Sequence, residues 1–115
     1  MDFIISIMEE LDKNLYVNRL IDLYGELLTD HQRNILELYY CYDLSLSEIA
    51  EQEEVSRNAV HDSLKKSIAL LNNYEDKLKL LQREDKFDKF FKEIKQNRSQ
   101  EELELIETIE RSVNS

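Results

Sequence analysis

Proline is absent from this 115-residue sequence, and glycine occurs once, as Gly25. Tight β-hairpin turns depend heavily on glycine and on Asn-Gly or Asp-Gly pairs, so a protein built mainly from sheets is excluded. Leucine, glutamate, lysine, isoleucine and glutamine are abundant instead, and helices accept all five readily. The composition therefore predicts an all-α fold.

Cysteine and histidine are also scarce, with one and two copies. A single cysteine, Cys41, cannot form an internal disulfide, and the tyrosines around it predict a buried, unreactive thiol in a reducing compartment. The sequence contains no glycine-rich phosphate loop, no cluster of His and Cys metal ligands and no spacing that suggests a nucleophile with its base. We therefore expect no enzyme activity, no cofactor and no bound metal.

Long apolar stretches are missing as well. No run of eighteen apolar residues is present, and the short apolar start MDFIISIMEE lacks the basic residues and the length of a signal peptide. We therefore expect a cytoplasmic protein that does not insert into membranes.

The polar residues mark where the helices begin. Thr29, Ser45 and Ser99 are each followed three residues later by Gln or Glu, which is the capping-box pattern, and Ser56 has the position of a further N-cap. Nothing interrupts the helical pattern between residues 57 and 98, so one long helix and a bend near 82–86 are both compatible with it. The predicted organisation is an N-terminal helical extension (1–12), a helix-turn-helix domain (13–72) and a C-terminal helical region (73–115).

Three apolar positions predict the helix-turn-helix. Ala50 lets the two helices cross closely, Val55 fills the gap at the turn, and Val60 closes the core from the second helix. Glu54 stands where such turns usually carry a glycine with positive φ, and a non-glycine residue there costs about 1 kcal/mol unless the turn differs. A generic helical hairpin with the same core is the alternative.

The outer N-terminal face of the second helix is the candidate DNA-binding surface, because Arg and Asn bind base edges while Lys and Ser commonly bind phosphates. The candidate DNA-binding residues are Ser56, Arg57, Asn58, His61, Lys65 and Lys66. Asp62 lies on the same face. The alternative is that these are the ordinary solvated positions of a surface helix.

Residues 29–71 resemble region 4 of bacterial sigma factors, through the entry LTDHQR and the stretch LSLSEIAE. The sequence is more closely similar to the YlxM family of small bacterial proteins, on LLTDHQRN, LYY, LSLSEIAE, VSRNAV and NNYEDKLKLLQ, over roughly residues 13–95. This resemblance implies a DNA-binding or regulatory role. It also implies a link to the signal recognition particle pathway, through gene neighbourhood.

Negative charge opposes DNA binding, since the chain carries 25 acidic and 15 basic residues and a formal net charge of −10. The segment from Ser56 to Asn72 nevertheless holds three basic residues and one acidic residue, and local sign dominates within a Debye length of about 8 Å. Two hypotheses follow. The protein is a regulator that binds duplex nucleic acid, or it is an acidic module that binds a basic protein or ribonucleoprotein of the signal recognition particle pathway.

An apolar stripe that continues beyond the motif predicts a dimer or partner contact, because it is larger than a solvated helix needs. Its members are Leu71, Tyr74, Leu78, Leu81, Phe87, Phe90, Phe91 and Ile94. We expect a homodimer, which would also double the few cations available to nucleic acid. The alternative is that this stripe folds back on the N-terminal helices and completes one core.

Overall fold

The computed structural model describes the backbone of residues 2–114 and the side chains of residue 6 and residues 8–114. All regular structure in that part of the chain is helical, which confirms the all-α prediction. The elements are α1 (Asp2–Tyr24), a short 3₁₀ turn (Gly25–Leu27), α2 (Asp30–Tyr40), α3 (Leu46–Glu53), α4 (Arg57–Leu78), α5 (Leu80–Ile94) and α6 (Gln100–Asn114).

The helices form two compact units, Met1–Lys79 and Leu80–Ser115, which we call the N-terminal unit and the C-terminal unit. Lys79, at their junction, adopts a left-handed backbone conformation with φ 56° and ends α4 by donating its N–H to the Glu75 carbonyl at 2.8 Å. The stretch 57–98 is therefore not one helix. The helix is interrupted at Lys79, before the bend predicted near residues 82–86. The sequence does not indicate this position, because the left-handed residue is a lysine rather than a glycine.

Helix α4 organises the N-terminal unit, since α1, α2 and α3 all pack against it. Burial is complete or nearly so along the facing sides of the four helices. The buried apolar residues of this unit are Val17, Leu20, Ile21, Tyr24, Leu28, Ile35, Leu36, Ile49, Ala50, Val60, Leu64 and Leu71. This is one small core, to which the two helices of the predicted motif contribute five apolar side chains and α1 contributes residues of its C-terminal half.

Polar contacts tie the surrounding helices together at the edges of this core. The buried Tyr24 ring lies 6.0 Å from the Tyr74 ring, and the Tyr24 hydroxyl donates to Glu75 Oε1 at 2.7 Å. On the other side, Asn34 Nδ2 donates to Glu53 Oε1 at 2.9 Å. These bonds join α1 to α4 and α2 to α3.

The predicted helix starts at Thr29, Ser45 and Ser56 are confirmed. The Thr29 and Ser45 hydroxyl oxygens each accept a hydrogen bond from the backbone N–H three residues later. The Gln32 and Glu48 side chains in turn accept from the backbone N–H of Thr29 and Ser45, which completes two capping boxes. At the start of α6, the Ser99 hydroxyl oxygen accepts from the Glu102 N–H at 3.2 Å. Local sequence therefore determines where these helices begin.

Cys41 is exposed, so the prediction of a buried thiol is wrong. It is the C-cap of α2, where the chain leaves the helix surface that faces the core. Its thiol lies 3.3 Å from Asn18 Oδ1. The pKa of the Cys41 thiol is raised, mainly by partial burial and to a smaller extent by the nearby carboxylates of Glu37, Asp22 and Asp43. The raised pKa disfavours the reactive thiolate.

The apolar stripe predicted for partner contact is only partly available. Leu71, Leu81 and Phe91 are buried, so they add no area to a contact with another molecule. Leu78 and Phe90 are about half exposed, and the other three, Tyr74, Phe87 and Ile94, lie between these extremes.

Candidate nucleic-acid interface

The short helix α3, a turn and the long helix α4 form the predicted helix-turn-helix. Ile49 and Ala50 of α3 and Val60 and Leu64 of α4 are all buried, which is the packing that the five-residue spacings require. The first turn of α4 therefore lies immediately after the turn of the motif, and its outer face is free of core contacts.

The turn itself adopts the left-handed geometry that a glycine usually supplies. Glu54 has φ 57° and ψ 42°, and the following Val55 N–H donates to the Ala50 carbonyl at 3.0 Å. A glutamate thus accepts a conformation that costs a residue with a side chain about 1–2 kcal/mol. The close packing of α3 on α4 holds it there.

Val55 fills the gap at the turn less completely than we predicted. Its side chain is 40% exposed, whereas Ala50 and Val60, the core residues five positions before and after it, are almost fully buried. The reason is its position at the rim of a small helical unit, where only one side of a turn residue faces the core. Val55 covers the edge of the core rather than plugging it.

The candidate DNA-binding residues form two adjacent rows on α4, each with a spacing of four residues. One row is Arg57, His61 and Lys65, and the other is Asn58, Asp62 and Lys66, all exposed. Residues four apart lie on the same helix face, so each row is continuous. The second row lies opposite the buried row of α4, which consists of Val60, Leu64, Ser67 and Leu71, and the first row lies beside that buried row.

Ser56 stands at the N-terminal end of both rows. Its Oγ accepts the Ala59 N–H at 3.0 Å and so caps α4. This bond uses the acceptor capacity of the hydroxyl, while its proton is free to be donated. Ser56 is therefore oriented by its capping role and can still donate a hydrogen bond to a phosphate oxygen.

Three cations dominate the charge of these rows. Arg57, Lys65 and Lys66 have no ion-pair partner among the residues that the structure describes. Asp62 is the acidic exception, and its Oδ1 lies 3.9 Å from His61 Nδ1. The face is thus locally cationic, with one carboxylate at its centre.

The acidic end of α3 lies next to this face in sequence, but its residues differ in orientation. Glu53 is half-buried and accepts the Asn34 amide, so its carboxylate is directed to α2. Glu51 and Glu54 are exposed. The exposed carboxylates of Glu51, in α3, and Glu54, its C-cap, therefore lie close to the turn.

Sequence reasoning did not find the contribution of α2. A hollow of about 460 Å³ opens between the start of α2 and the second row of α4, and it is lined by Thr29, His31, Gln32, Ala59, Asp62, Ser63 and Lys66. His31 and Lys66 are far apart in the chain, and the only local signal was the capping box at Thr29, which predicts a helix start but not its neighbour. The packing of α2 on α4 brings them to the same hollow.

Two further observations limit the kinds of site that the described residues offer. Their His, Cys, Asp and Glu side chains form no group of three or more that could hold a metal ion. None of the helices they build combines the length and the apolarity that crossing a membrane requires.

An all-helical unit with a short helix, a left-handed turn and a capped long helix defines a helix-turn-helix protein. The profile of one family, described as "Putative helix-turn-helix protein, YlxM / p13 like", matches residues 11–111. The chain belongs to this family, UPF0122. The match confirms the resemblance expected over 13–95 and extends it at both ends; the family is not an enzyme family.

Individual relatives support the same assignment. A UPF0122 protein of Clostridium kluyveri is 47% identical over 78 residues, which cover 68% of this chain and 70% of the relative. One from Halalkalibacterium halodurans is 51% identical over 76 residues, covering 66% and 70%. One from Bacillus thuringiensis is 53% identical over 73 residues, covering 64% and 66%.

Proposed function

We propose that this protein is a cytosolic regulator that binds duplex DNA with the two exposed rows of α4. The observation that carries the proposal is a set of three cations, Arg57, Lys65 and Lys66, that follow the helix-turn-helix turn and form no ion pair with any described residue. A helix presented in this way fits the major groove with its N-terminal residues against base edges.

Each side chain of the rows has a chemical role in this proposal. Arg57 can donate two hydrogen bonds to guanine, and Asn58 can form a bidentate pair with adenine. Asp62 can accept from the amino group of cytosine, which makes the carboxylate at the centre of the face a reader of bases rather than a contact to phosphates. Lys65, Lys66 and Ser56 would bind phosphates and fix the register of the helix.

The number of cations limits the affinity of one copy. The salt dependence of binding steepens by about 0.9 for each phosphate that a cation neutralises, so Lys65 and Lys66 give a slope near −2 and two copies give about −4. The first value is below what DNA-binding domains with six to ten phosphate contacts reach. Useful affinity therefore requires two copies on one duplex.

Selection from random duplex DNA at low salt tests this proposal. The wild-type protein should enrich a defined site, and the variant Arg57→Ala/Lys65→Ala/Lys66→Ala should not. A matched control is Lys86→Ala/Lys89→Ala/Lys92→Ala, which removes the same charge from exposed positions of α5. Failure of the wild type to enrich any site, or equal loss in both triple variants, would contradict the assignment of α4.

A second candidate function rests on the charge of the N-terminal unit. Met1–Lys79 carries 16 acidic and 8 basic side chains, a net charge of −8, whereas Leu80–Ser115 carries 9 and 7, a net charge of −2. Such a surface would attract a basic protein or a ribonucleoprotein, for which the components of the signal recognition particle pathway are the proposed class of partner.

Affinity capture with the full chain separates the two candidates. If the second one holds, a basic protein or an RNA–protein particle of that pathway binds at low salt and is released at high salt. The triple variant of α4 should bind it as well as the wild type does, because that variant only increases the negative charge. Loss of capture in the triple variant would contradict an acidic contact surface.

A further inference from the structure

The hollow between the start of α2 and the second row of α4 holds hydrogen-bond donors that the surrounding protein does not use. His31 of α2 and Ser63 and Lys66 of α4 line it, and their side chains form no hydrogen bond or ion pair with any described residue. Each of these side chains can donate. Two helices that are distant in the chain therefore bring three donors to one space of about 460 Å³, which we call the α2–α4 hollow.

The capping box at the start of α2 contributes two further groups to the wall of the α2–α4 hollow. Thr29 Oγ1 accepts the Gln32 N–H at 3.2 Å, and Gln32 Oε1 accepts the Thr29 N–H at 3.1 Å. Both oxygens already accept a hydrogen bond, whereas the Thr29 hydroxyl proton and the Gln32 amide N–H groups can still be donated. A ligand that fits this wall must therefore supply acceptor oxygens.

The charge of the α2–α4 hollow indicates which kind of oxygen ligand fits. Among the described residues that line it, Asp62 alone is acidic and Lys66 is the one lysine, so their formal charges cancel. A free phosphate monoester carries a charge of about −1.5 to −2 and is repelled by the Asp62 carboxylate. A phosphodiester carries a single charge, which Lys66 can neutralise. The donors and the charge therefore favour a backbone phosphodiester over a free phosphate or a nucleotide.

The position of the α2–α4 hollow is suitable for contact with a bound duplex. Asp62 and Lys66 belong to the second row of α4 and also line the hollow, so this row forms one of its edges. The major groove is about 12 Å wide, and a helix with its side chains is about 10–12 Å across. A helix that reads base edges therefore has phosphates along its flanks, and the second-row flank of α4 opens into the hollow.

We infer that the α2–α4 hollow binds a backbone phosphodiester of the duplex. Lys66 neutralises the charge of this phosphate, while His31 and Ser63 donate hydrogen bonds to its oxygens. The inference rests on the proposed function and adds α2 to it as a second helix that holds the DNA. Because phosphate contacts fix the register and orientation of a protein on the duplex, contacts from α2 and α4 together determine how α4 enters the groove.

Binding of duplex DNA by the variant His31→Ala/Ser63→Ala tests the contribution of the hollow. Alanine is favourable in helices, so circular dichroism should show the helix content of the wild type. Fluorescence anisotropy at low salt should show about 10-fold weaker binding, because two hydrogen bonds to the phosphate are lost. The loss should be equal for the selected duplex and for a duplex of unrelated sequence, since a phosphate contact carries no sequence information.

Duplexes that each contain one methylphosphonate, in which a methyl group replaces a charged phosphate oxygen, locate the contact. At one linkage for each bound copy, the substitution should weaken wild-type binding by about 10-fold. At the same linkage it should have no further effect on Lys66→Ala, which has already lost the contact. Lys65→Ala is the matched control, because Lys65 lies in the first row and does not line the hollow. Its binding should fall at this linkage by the same factor as that of the wild type.

The outcomes separate this inference from the proposed function. A wild type that binds no duplex at low salt would overturn both. A wild type that binds duplex DNA no more tightly than His31→Ala/Ser63→Ala would overturn the role of the hollow alone. The same conclusion would follow if the methylphosphonate effect were equal in the wild type and in Lys66→Ala at every linkage.

Discussion

Replacement of Glu54 by glycine should stabilise the N-terminal unit, although it removes a side chain from the middle of the motif. Glu54 holds φ 57° and ψ 42° at the C-cap of α3, and it is exposed, so no packing is lost with its side chain. Glycine adopts the left-handed region without the steric conflict that a Cβ causes.

The expected gain is about 1 kcal/mol. Relief of the left-handed conformation contributes about 1–2 kcal/mol, and the greater freedom of glycine in the unfolded chain takes back about 0.4–1 kcal/mol. Removal of a carboxylate from the C-terminal end of α3 adds about 0.3 kcal/mol at an exposed site. For a unit of this size, 1 kcal/mol raises the melting temperature by roughly 4–8 °C.

Tyrosine fluorescence during urea unfolding is the suitable assay. All six tyrosines of the sequence precede residue 80 and there is no tryptophan, so intrinsic fluorescence reports the N-terminal unit alone, whereas circular dichroism reports both units. Two controls separate the causes. Glu54→Ala removes the charge but keeps the left-handed strain, so its effect should stay within about 0.5 kcal/mol.

The second control is Glu51→Gly, in the interior of α3, which should destabilise the unit by about 1 kcal/mol because glycine there only weakens a helix. The reasoning would be refuted if Glu54→Gly were less stable than the wild type, or if it gained no more than Glu54→Ala. Either result would mean that the turn does not hold residue 54 in the left-handed region.

Three further predictions concern single side chains. Ser67→Ala should stabilise the N-terminal unit by about 1 kcal/mol in the same fluorescence assay, because the Ser67 hydroxyl is buried and forms no hydrogen bond with any described residue. Tyr24→Phe should destabilise it by about 1–2 kcal/mol, because the ring stays packed while the 2.7 Å bond to Glu75 is lost. Hydrogen bonds from Arg98 and Ser99 lower the pKa of Glu102, so its stabilising effect is present above the unfolded-state pKa and lost as the pH falls through the lower folded-state value. Glu102→Gln should therefore reduce helix content relative to the wild type near neutral pH, and the difference should vanish in strong acid when both are followed by circular dichroism.

The parts of the fold that depend on local chemistry could be predicted from the sequence. The capping hydroxyls of Thr29, Ser45 and Ser56 determine helix starts within a few residues, and the spacing of Ala50 and Val60 determines how two neighbouring helices cross. The helical spacing that buries Val60 and Leu64 also determines which residues of α4 are exposed. The binding roles assigned to these rows stay predictions.

Features that depend on distant packing or on an uncommon backbone state could not be predicted. Lys79 ends α4 in a left-handed conformation, and a lysine gives no signal of this. The exposure of Cys41 depends on how α2 lies on its neighbours, and the hollow shared by His31 and Lys66 depends on the packing of α2 against α4.

The apolar rows illustrate the same limit. A helical stripe in the sequence predicts that a face will be covered, but it does not tell whether the cover is the same chain or another molecule. Phe91 is buried, whereas Phe90, its neighbour in the stripe, is half exposed. Helix α6 likewise presents an exposed apolar row through Leu105 and Ile109.

The salt dependence of DNA binding tests the central claim most directly. Fluorescence anisotropy with the selected duplex should give a linear fall of log affinity with log salt, with a slope near −4 for two bound copies. Lys65→Ala should reduce the magnitude of that slope by about 2, one contact from each copy, and Lys89→Ala on α5 should leave it unchanged. A slope that is the same in the wild type and in Lys65→Ala, or no measurable binding at low salt, would contradict the account of α4 as the DNA-reading helix.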